Sequence, residues 1–526
     1  MPPRLEFARV GPANGGHCCI VTTTSTAEVP SSPAPAPSMS KRPERQRRNI
    51  GVYLRRHALF ALVLVVGAIL RLLCWRAYAP ALLFWHDSFE YLADGRSLRP
   101  GVIRTLGYPV FLHGLSLVGS LRLVTAVQHL LGLGLGVLIY VLLVRRGAAR
   151  WVGALAAAPV LLDGYQLDIE QFILSETLFS VLLLGAFAVL FWLRPVLLCR
   201  HAAGVGGLLA AASLVRVVAL PLLVLVAGHL LVRRIGVRAV VALLAAGVMP
   251  LLVYASWFDA EHGTFGLTQY SGRMQYGKVM TFADCTRLPV TADLRLLCDA
   301  RPVSARPGPD FYTWTYKSPV NQLWRLTGAQ RDARAKQFTH VAIEHQPGDY
   351  AKAVLVDLAH YGAWTRATWR HAQRSDTWTF FDHPMPAFTA SVASYAFQRG
   401  RAGSGPSQHI GLARALRGYQ RYGYVPGTGV VLAGVASLVI VIRRRRRHPP
   451  KSDVALLLGS AVVVVLIPSM TVAFDYRFLL PELVVVPLAL GLATTFRSGR
   501  PLPPNDAPAA PSEPAAASGT AGAVAQ

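Results

Sequence analysis

The sequence predicts a mainly α-helical, polytopic membrane bundle of about ten spans with one extracytoplasmic domain. Three observations predict it. Of 526 residues, 53% are hydrophobic and only 15% are charged, with a mean hydropathy of +0.38. A soluble chain carries roughly a quarter charged residues, so this one cannot clothe several domains in a water-facing surface. Apolar runs of spanning length recur, and the 53 Lys+Arg, against 27 Asp+Glu, collect beside alternate runs. The composition excludes a soluble enzyme, a disordered scaffold and a disulfide-dense secreted domain. The formal charge of +26 does not indicate nucleic acid as a partner, because no stacking platform or groove-binding element accompanies it. It reads as a topological signal with added attraction to anionic inner-leaflet lipids.

Residues 1–50 are rich in Pro, Ser, Thr and Ala without an apolar stripe, and 501–526 repeat that composition. Both read as disordered cytoplasmic tails. No apolar core precedes the first basic cluster, so the start is not a signal peptide and the first span acts as an uncleaved anchor. A bilayer core about 30 Å thick needs roughly 20 apolar residues per helix. Candidate spans lie near 57–75, 122–144, 150–166, 172–193, 202–215, 217–232, 238–258, 427–442, 453–470 and 475–496. The fifth and sixth are short and parted only by Val215-Arg216, which fits a tight turn or two tilted helices. The transmembrane core thus occupies 51–258, and 426–500 supplies the C-terminal membrane helices.

Orientation follows from basic residues in short loops. Arg42 to Arg56, Arg145 to Arg150, Arg194 and Arg200, Arg233 to Arg238, and Arg443 to Lys451 all fall on one side if the spans are correct. Both termini are then cytoplasmic in a multi-pass plasma-membrane protein, and Asp87, Glu90, Asp163, Asp168, Glu170 and Asp475 face outward. An extra span near 106–119 would reverse the later loops, so that stretch reads as an interfacial helix. Residues 259–425 hold no span-length run and form the outer domain. Within it, Pro347-Gly348-Asp349 starts a helix with apolar residues at helical spacing. Cys285 and Cys298 lie where an oxidising environment permits a disulfide, and no zinc-type spacing is present.

The stretch with most chemical content follows the first span: Phe84-Trp85-His86-Asp87-Ser88-Phe89-Glu90-Tyr91. Asp87 and Glu90, three residues apart, share one helical face among aromatics. That setting suits a general base with low-dielectric walls, and equally a solvated loop with an aromatic belt. Arg104 and the Gly107-Tyr108-Pro109 turn follow; Asp168 and Glu170 lie in the second outer loop; Glu176 lies inside the fourth span, where a charge must pair or face a polar cavity. Carboxylates can deprotonate an acceptor hydroxyl. Arg104, Arg216 and Arg477 can hold a phosphate and stabilise the charge that develops on it. No Gly-rich phosphate loop follows a strand.

The order of these motifs resembles the GT-C superfamily of polytopic glycosyltransferases, in the branch of the protein mannosyltransferases and the lipid A aminoarabinose transferase. The resemblance rests on Asp87 with Glu90-Tyr91, Gly107-Tyr108-Pro109, Leu174-Ser175-Glu176-Thr177, Leu214-Val215-Arg216 and Tyr476-Arg477-Phe478-Leu479-Leu480-Pro481. It implies inverting sugar transfer from a polyprenyl-phosphate donor to a glycan, lipid or protein acceptor outside the membrane. It also implies Asp87 as base, partnered by Glu90 or by Asp168 or Glu170. Arg104, Arg216 and the Tyr476-Arg477 pair would hold the donor phosphate, and His86, Tyr108 and Glu176 would line the pocket. Asp-Ser at 87–88 replaces a doubled acid, which leaves the use of a divalent metal open. A transporter or flippase of lipid-linked sugars is the alternative, against which stand the lack of an internal repeat and of midplane polar groups.

Overall fold

In the computed structural model, the structure describes residues 42–192, 198–383, 397, 407–443 and 451–495, with 42–55 given only as helical backbone. Both tails, Cys18-Cys19 and most of the basic run after 443 lie outside these residues. The chain divides into two units, Met1–Arg55 and Arg56–Gln526. The hydrophobic cores, the cavities and the candidate site all belong to the second.

The fold is mainly helical; the described strands are two pairs of residues, Tyr78–Ala79 (β1) and Ser407–Gln408 (β2), joined antiparallel. Among the described residues, five helices are long and apolar enough to cross a membrane: Arg56–Ala77 within α1 (Arg42–Ala77), α4 (Leu121–Arg145), α10 (Val237–His262), Lys451–Thr471, and the stretch Tyr476–Ala493. Five shorter apolar helices accompany them: α5 (Arg150–Leu162), α7 (Glu176–Trp192), α8 (Cys199–Val215), α9 (Leu220–Val232) and Gly427–Arg443. Each apolar run expected to be a span is therefore helical, but half of them fall short of spanning length.

Between the apolar helices lie α2 (Asp87–Ser97), α3 (Gly107–Ser116) and α6 (Gly164–Gln171). The ten residues of α3 are too few to cross a bilayer. Two expectations need correction. The stretch 163–170 is not a loop: Asp163 caps α6 by accepting from the Tyr165 and Gln166 amides, and every residue of α6 is buried. Glu176 is not inside a helix but opens α7, where its charge meets the positive end of the helix dipole. The turn between α8 and α9 does occur at Arg216, whose backbone is extended.

The long α10 runs past 258 to His262, about 39 Å at 1.5 Å per residue. Beyond it come α11 (Ser271–Val279), α12 (Ala292–Arg295), α13 (Pro309–Trp314), α14 (Pro319–Gln322), α15 (Gly328–His345) and α16 (Pro347–Tyr361). This segment has a small core of its own around Tyr276, Met280, Leu297, Tyr312 and Phe338, separate from the main core of the bundle. The Cys285–Cys298 disulfide is formed at its edge. The helix at Pro347 starts where its sequence signal placed it.

Candidate functional site

The first loop is held before it can present a side chain. Leu82 exchanges backbone hydrogen bonds with Gln171 and Ile173, which ties the loop to the link between α6 and α7. Buried Ser88 accepts from the Phe84 amide at 2.9 Å and donates to the Ile173 carbonyl at 2.9 Å. His86 takes a positive φ of 60° and turns the chain into α2, so Asp87 becomes the first helical residue. Gly107 is fixed by a close approach: a Cβ there would meet the Leu214 carbonyl at 2.5 Å. That contact brings the start of α3, and with it Arg104, against the end of α8 and Arg216.

Asp87, 3% exposed, is the hub. Its Oδ1 accepts from Arg104 Nη2 at 2.5 Å and its Oδ2 from Arg477 Nη1 at 2.7 Å. Burial alone would raise its pKa, but the two guanidinium groups outweigh burial and hold it at about 2. Arg477 also faces Asp475 Oδ2 at 2.8 Å and Glu176 Oε1 at 3.6 Å, and Glu176 in turn pairs with Arg216. Trp378 donates to Asp475 Oδ1 at 2.6 Å, and the rings of Phe84, Trp378 and Phe478 box the Arg477 guanidinium at 5.0 to 5.4 Å. Three carboxylates and three guanidiniums thus interlock. Burial pushes Asp475 up to about 6 in spite of Arg477.

Asp87 opens α2 and Glu176 opens α7, Arg216 ends α8, Arg104 lies in the link from α2 to α3, and Asp475 and Arg477 lie between Lys451–Thr471 and Glu482–Ala493.

Two cavities meet at this cluster. One, of about 340 Å³, has Arg104 and Arg216 on its wall together with apolar Ile103, Val217, Ile467 and Pro468. The other, of about 460 Å³, opens toward the 259–425 segment and is lined by Trp85, His86, Asp310, Trp314 and Asp475. Asp87, Arg104 and Arg477 belong to both linings, so the ion-pair hub stands in the partition between them. Arg104 and Arg216 each give one donor to a carboxylate. A guanidinium has five, so both can also engage an anion in the smaller cavity.

The other expected site residues distribute unevenly. His86 lines the larger cavity, stacked on Trp314 at 5.4 Å, and desolvation lowers its pKa. Glu90 lines neither cavity; it is half-buried one turn beyond Asp87, and desolvation pushes it up to about 7. Asp168 and Glu170 do not join Asp87. Asp168 is fully buried, with no hydrogen-bond partner on either oxygen among the described residues, and desolvation holds its carboxyl well above the usual range. Glu170 accepts from Arg71 at 2.8 Å, from Gln166 at 2.9 Å and pairs with His129 at 2.9 Å, a knot among α1, α4 and α6.

Tyr476 turns its hydroxyl away, donating to the Ala367 carbonyl at 3.0 Å, and Tyr108 donates to Gln128 at 2.7 Å. Neither tyrosine lines a cavity beside Asp87. Asp310 and Trp314, both from α13, complete the site unforeseen. Asp310 is open to the larger cavity, and desolvation there raises its pKa against the pull of Arg477.

Among the described residues no group of three or more His, Cys, Asp or Glu is arranged to hold a metal ion. At Asp87 both oxygens already face guanidinium groups, a donor set that does not fit a divalent cation. Comparison with family models, curated proteins and solved structures returns no match.

Proposed function

We propose that the chain is an integral membrane glycosyltransferase of GT-C type, inverting, with ten membrane helices, both termini cytoplasmic and the Asp87 face outside the plasma membrane. It moves a sugar from a polyprenyl-phosphate donor to an acceptor hydroxyl. The observation that carries this reading is the position of Asp87 in the partition between the two cavities. The smaller combines guanidinium donors with apolar walls, the chemistry of a phosphate on a hydrocarbon chain. The larger offers carboxylates and aromatic rings to a polar acceptor.

In the transfer, the acceptor oxygen bonds to the anomeric carbon as the carbon–oxygen bond to phosphate breaks. The electron pair leaves with the polyprenyl phosphate, where Arg104, Arg216 and Arg477 stabilise it. The hydroxyl proton passes to Asp87. A carboxylate held at about 2 is a feeble base, so donor binding has a second role: the phosphate draws Arg104 and Arg477 toward itself and returns basicity to Asp87. Donor and base are thereby coupled, which restrains proton transfer until a donor is seated.

The test is purified full-length protein in nanodiscs with radiolabelled polyprenyl-phosphate mannose, arabinose and aminoarabinose. Release or transfer of label from one of them, lost in Asp87→Asn, supports the reading. Movement of intact donor between leaflets without cleavage refutes it in favour of a flippase.

A further inference from the structure

The larger cavity carries enough chemistry to choose among acceptor classes. We infer that it takes a neutral carbohydrate acceptor, a pyranose or furanose ring stacked on Trp85 with its hydroxyls donating to Asp310; the inference rests on the glycosyl-transfer reading. Trp85 lines the cavity and is 71% exposed beside a carboxylate that is 3% exposed. Its ring meets His86 at 74° and 4.7 Å, an edge-to-face contact that occupies at most one indole face. Trp314, by contrast, already stacks against two rings, His86 at 5.4 Å and Tyr270 at 5.2 Å. It is the backing of the wall, and Trp85 is the platform. A sugar ring has an apolar C–H face and a rim of hydroxyl donors, which suit an indole and an acceptor-only carboxylate.

Charge argues in the same direction. The cavity wall carries three carboxylates, Asp87, Asp310 and Asp475, against two guanidinium groups, Arg104 and Arg477, which the donor phosphate draws to the other side of the partition. A phosphorylated lipid or a uronic acid entering there meets net negative charge. A peptide needs a strand edge or an extended groove to satisfy its backbone, whereas this wall is built from helix ends and loops. A volume of about 460 Å³ lies within the range of small-ligand cavities.

Saturation-transfer NMR on the full chain in nanodiscs tests this with four probes: methyl α-mannopyranoside, methyl α-arabinofuranoside, methyl glucuronide and N-acetylthreonine methylamide. Saturation of ring C–H protons in a neutral glycoside is expected. Binding should weaken about five- to tenfold in Trp85→Ala, as loss of one aromatic contact implies, recover largely in Trp85→Phe, and weaken in Asp310→Asn. Preference for the glucuronide or the threonine derivative, the absence of any glycoside signal, or unchanged binding in Trp85→Ala overturns the inference. Donor hydrolysis by the wild-type protein without acceptor is measured in parallel. Hydrolysis without glycoside binding sinks only the acceptor assignment, and glycoside binding without donor cleavage sinks the transferase reading.

Discussion

Replacing Asp87 by Asn tests the hub from two directions at once. Asp87 is buried and its carboxyl lies at about 2 instead of 3.8, which corresponds to about 2 kcal/mol of net stabilisation of the ionised form in the folded chain. Because the folded value is depressed, that stabilisation is present above pH 3.8 and is lost as the pH falls through about 2. An Asn keeps one acceptor oxygen but turns an amide donor toward Arg104 or Arg477. Removing one side of a buried pair costs about 3–5 kcal/mol, so the loss of stability should be about 3 kcal/mol, read as a lower melting temperature in detergent. Transfer should fall by about 10²- to 10⁴-fold, the worth of a general base. Donor affinity should move the other way. The cluster loses one negative charge, Arg104 and Arg477 are released toward the phosphate, and KM for the donor falls while kcat falls. Turnover of radiolabelled donor across a concentration series separates the two. Wild-type turnover in Asp87→Asn, or weakened donor binding, would refute the coupling of base and phosphate sites.

Three further outcomes are expected. Asp475 is buried and raised from 3.8 to about 6, so stability should decline as pH rises between these values, by about 3 kcal/mol; thermal unfolding against pH should show that slope reduced in Asp475→Asn. At Gly132 a Cβ would come within 2.0 Å of Glu170 Oε1, and Arg71, His129 and Gln166 prevent that carboxylate from yielding. Gly132→Leu should therefore destabilise by more than the usual cost of overpacking, about 1–3 kcal/mol, whereas Gly134→Ala, inside α4 with nothing near its Cβ, should raise the melting temperature slightly, by the roughly 0.5–1 kcal/mol that separates Ala from Gly in a helix. Opening the Cys285–Cys298 loop, with a sequence separation of 13 between the cysteines, should cost about 3 kcal/mol in the chain-entropy model. Limited proteolysis of Cys285→Ser/Cys298→Ser is expected to cut first within 276–342.

The helices are legible in the sequence because burial in a bilayer or a bundle imposes length and apolar composition on each segment independently of its partners. The ends of those helices are less so. Glu176 reads as an intramembrane charge because Phe172 and Leu174 look like more span, yet the chain there is bonded to the first loop through Leu82 and Ile173 and starts α7 only at Glu176. The segment 163–170 looks like a loop because acids punctuate it, but Asp163 caps a helix and Glu170 pairs with Arg71. Their charge is a packing device inside the bundle and no evidence of exposure.

Asp87, Arg104, Arg216 and Arg477 are legible as a set because they stand beside apolar runs at the ends away from the dense basic clusters. Nothing local points to Asp310 or Trp314. They come from a six-residue helix in the segment without a span-length apolar run, and only the packing of that segment brings them to the cavity beside Asp87. The division follows from how each cavity is made. The smaller cavity takes about half of its wall from the ends of apolar helices, whose place the hydropathy pattern marks, and the rest from the first loop, α2 and residues 268–275. The larger is closed by a loop-rich segment whose docking depends on long-range contacts that no sequence period records. If the two cavities serve donor and acceptor, donor chemistry is the part a sequence of this kind can reveal, and acceptor choice is the part that needs the fold.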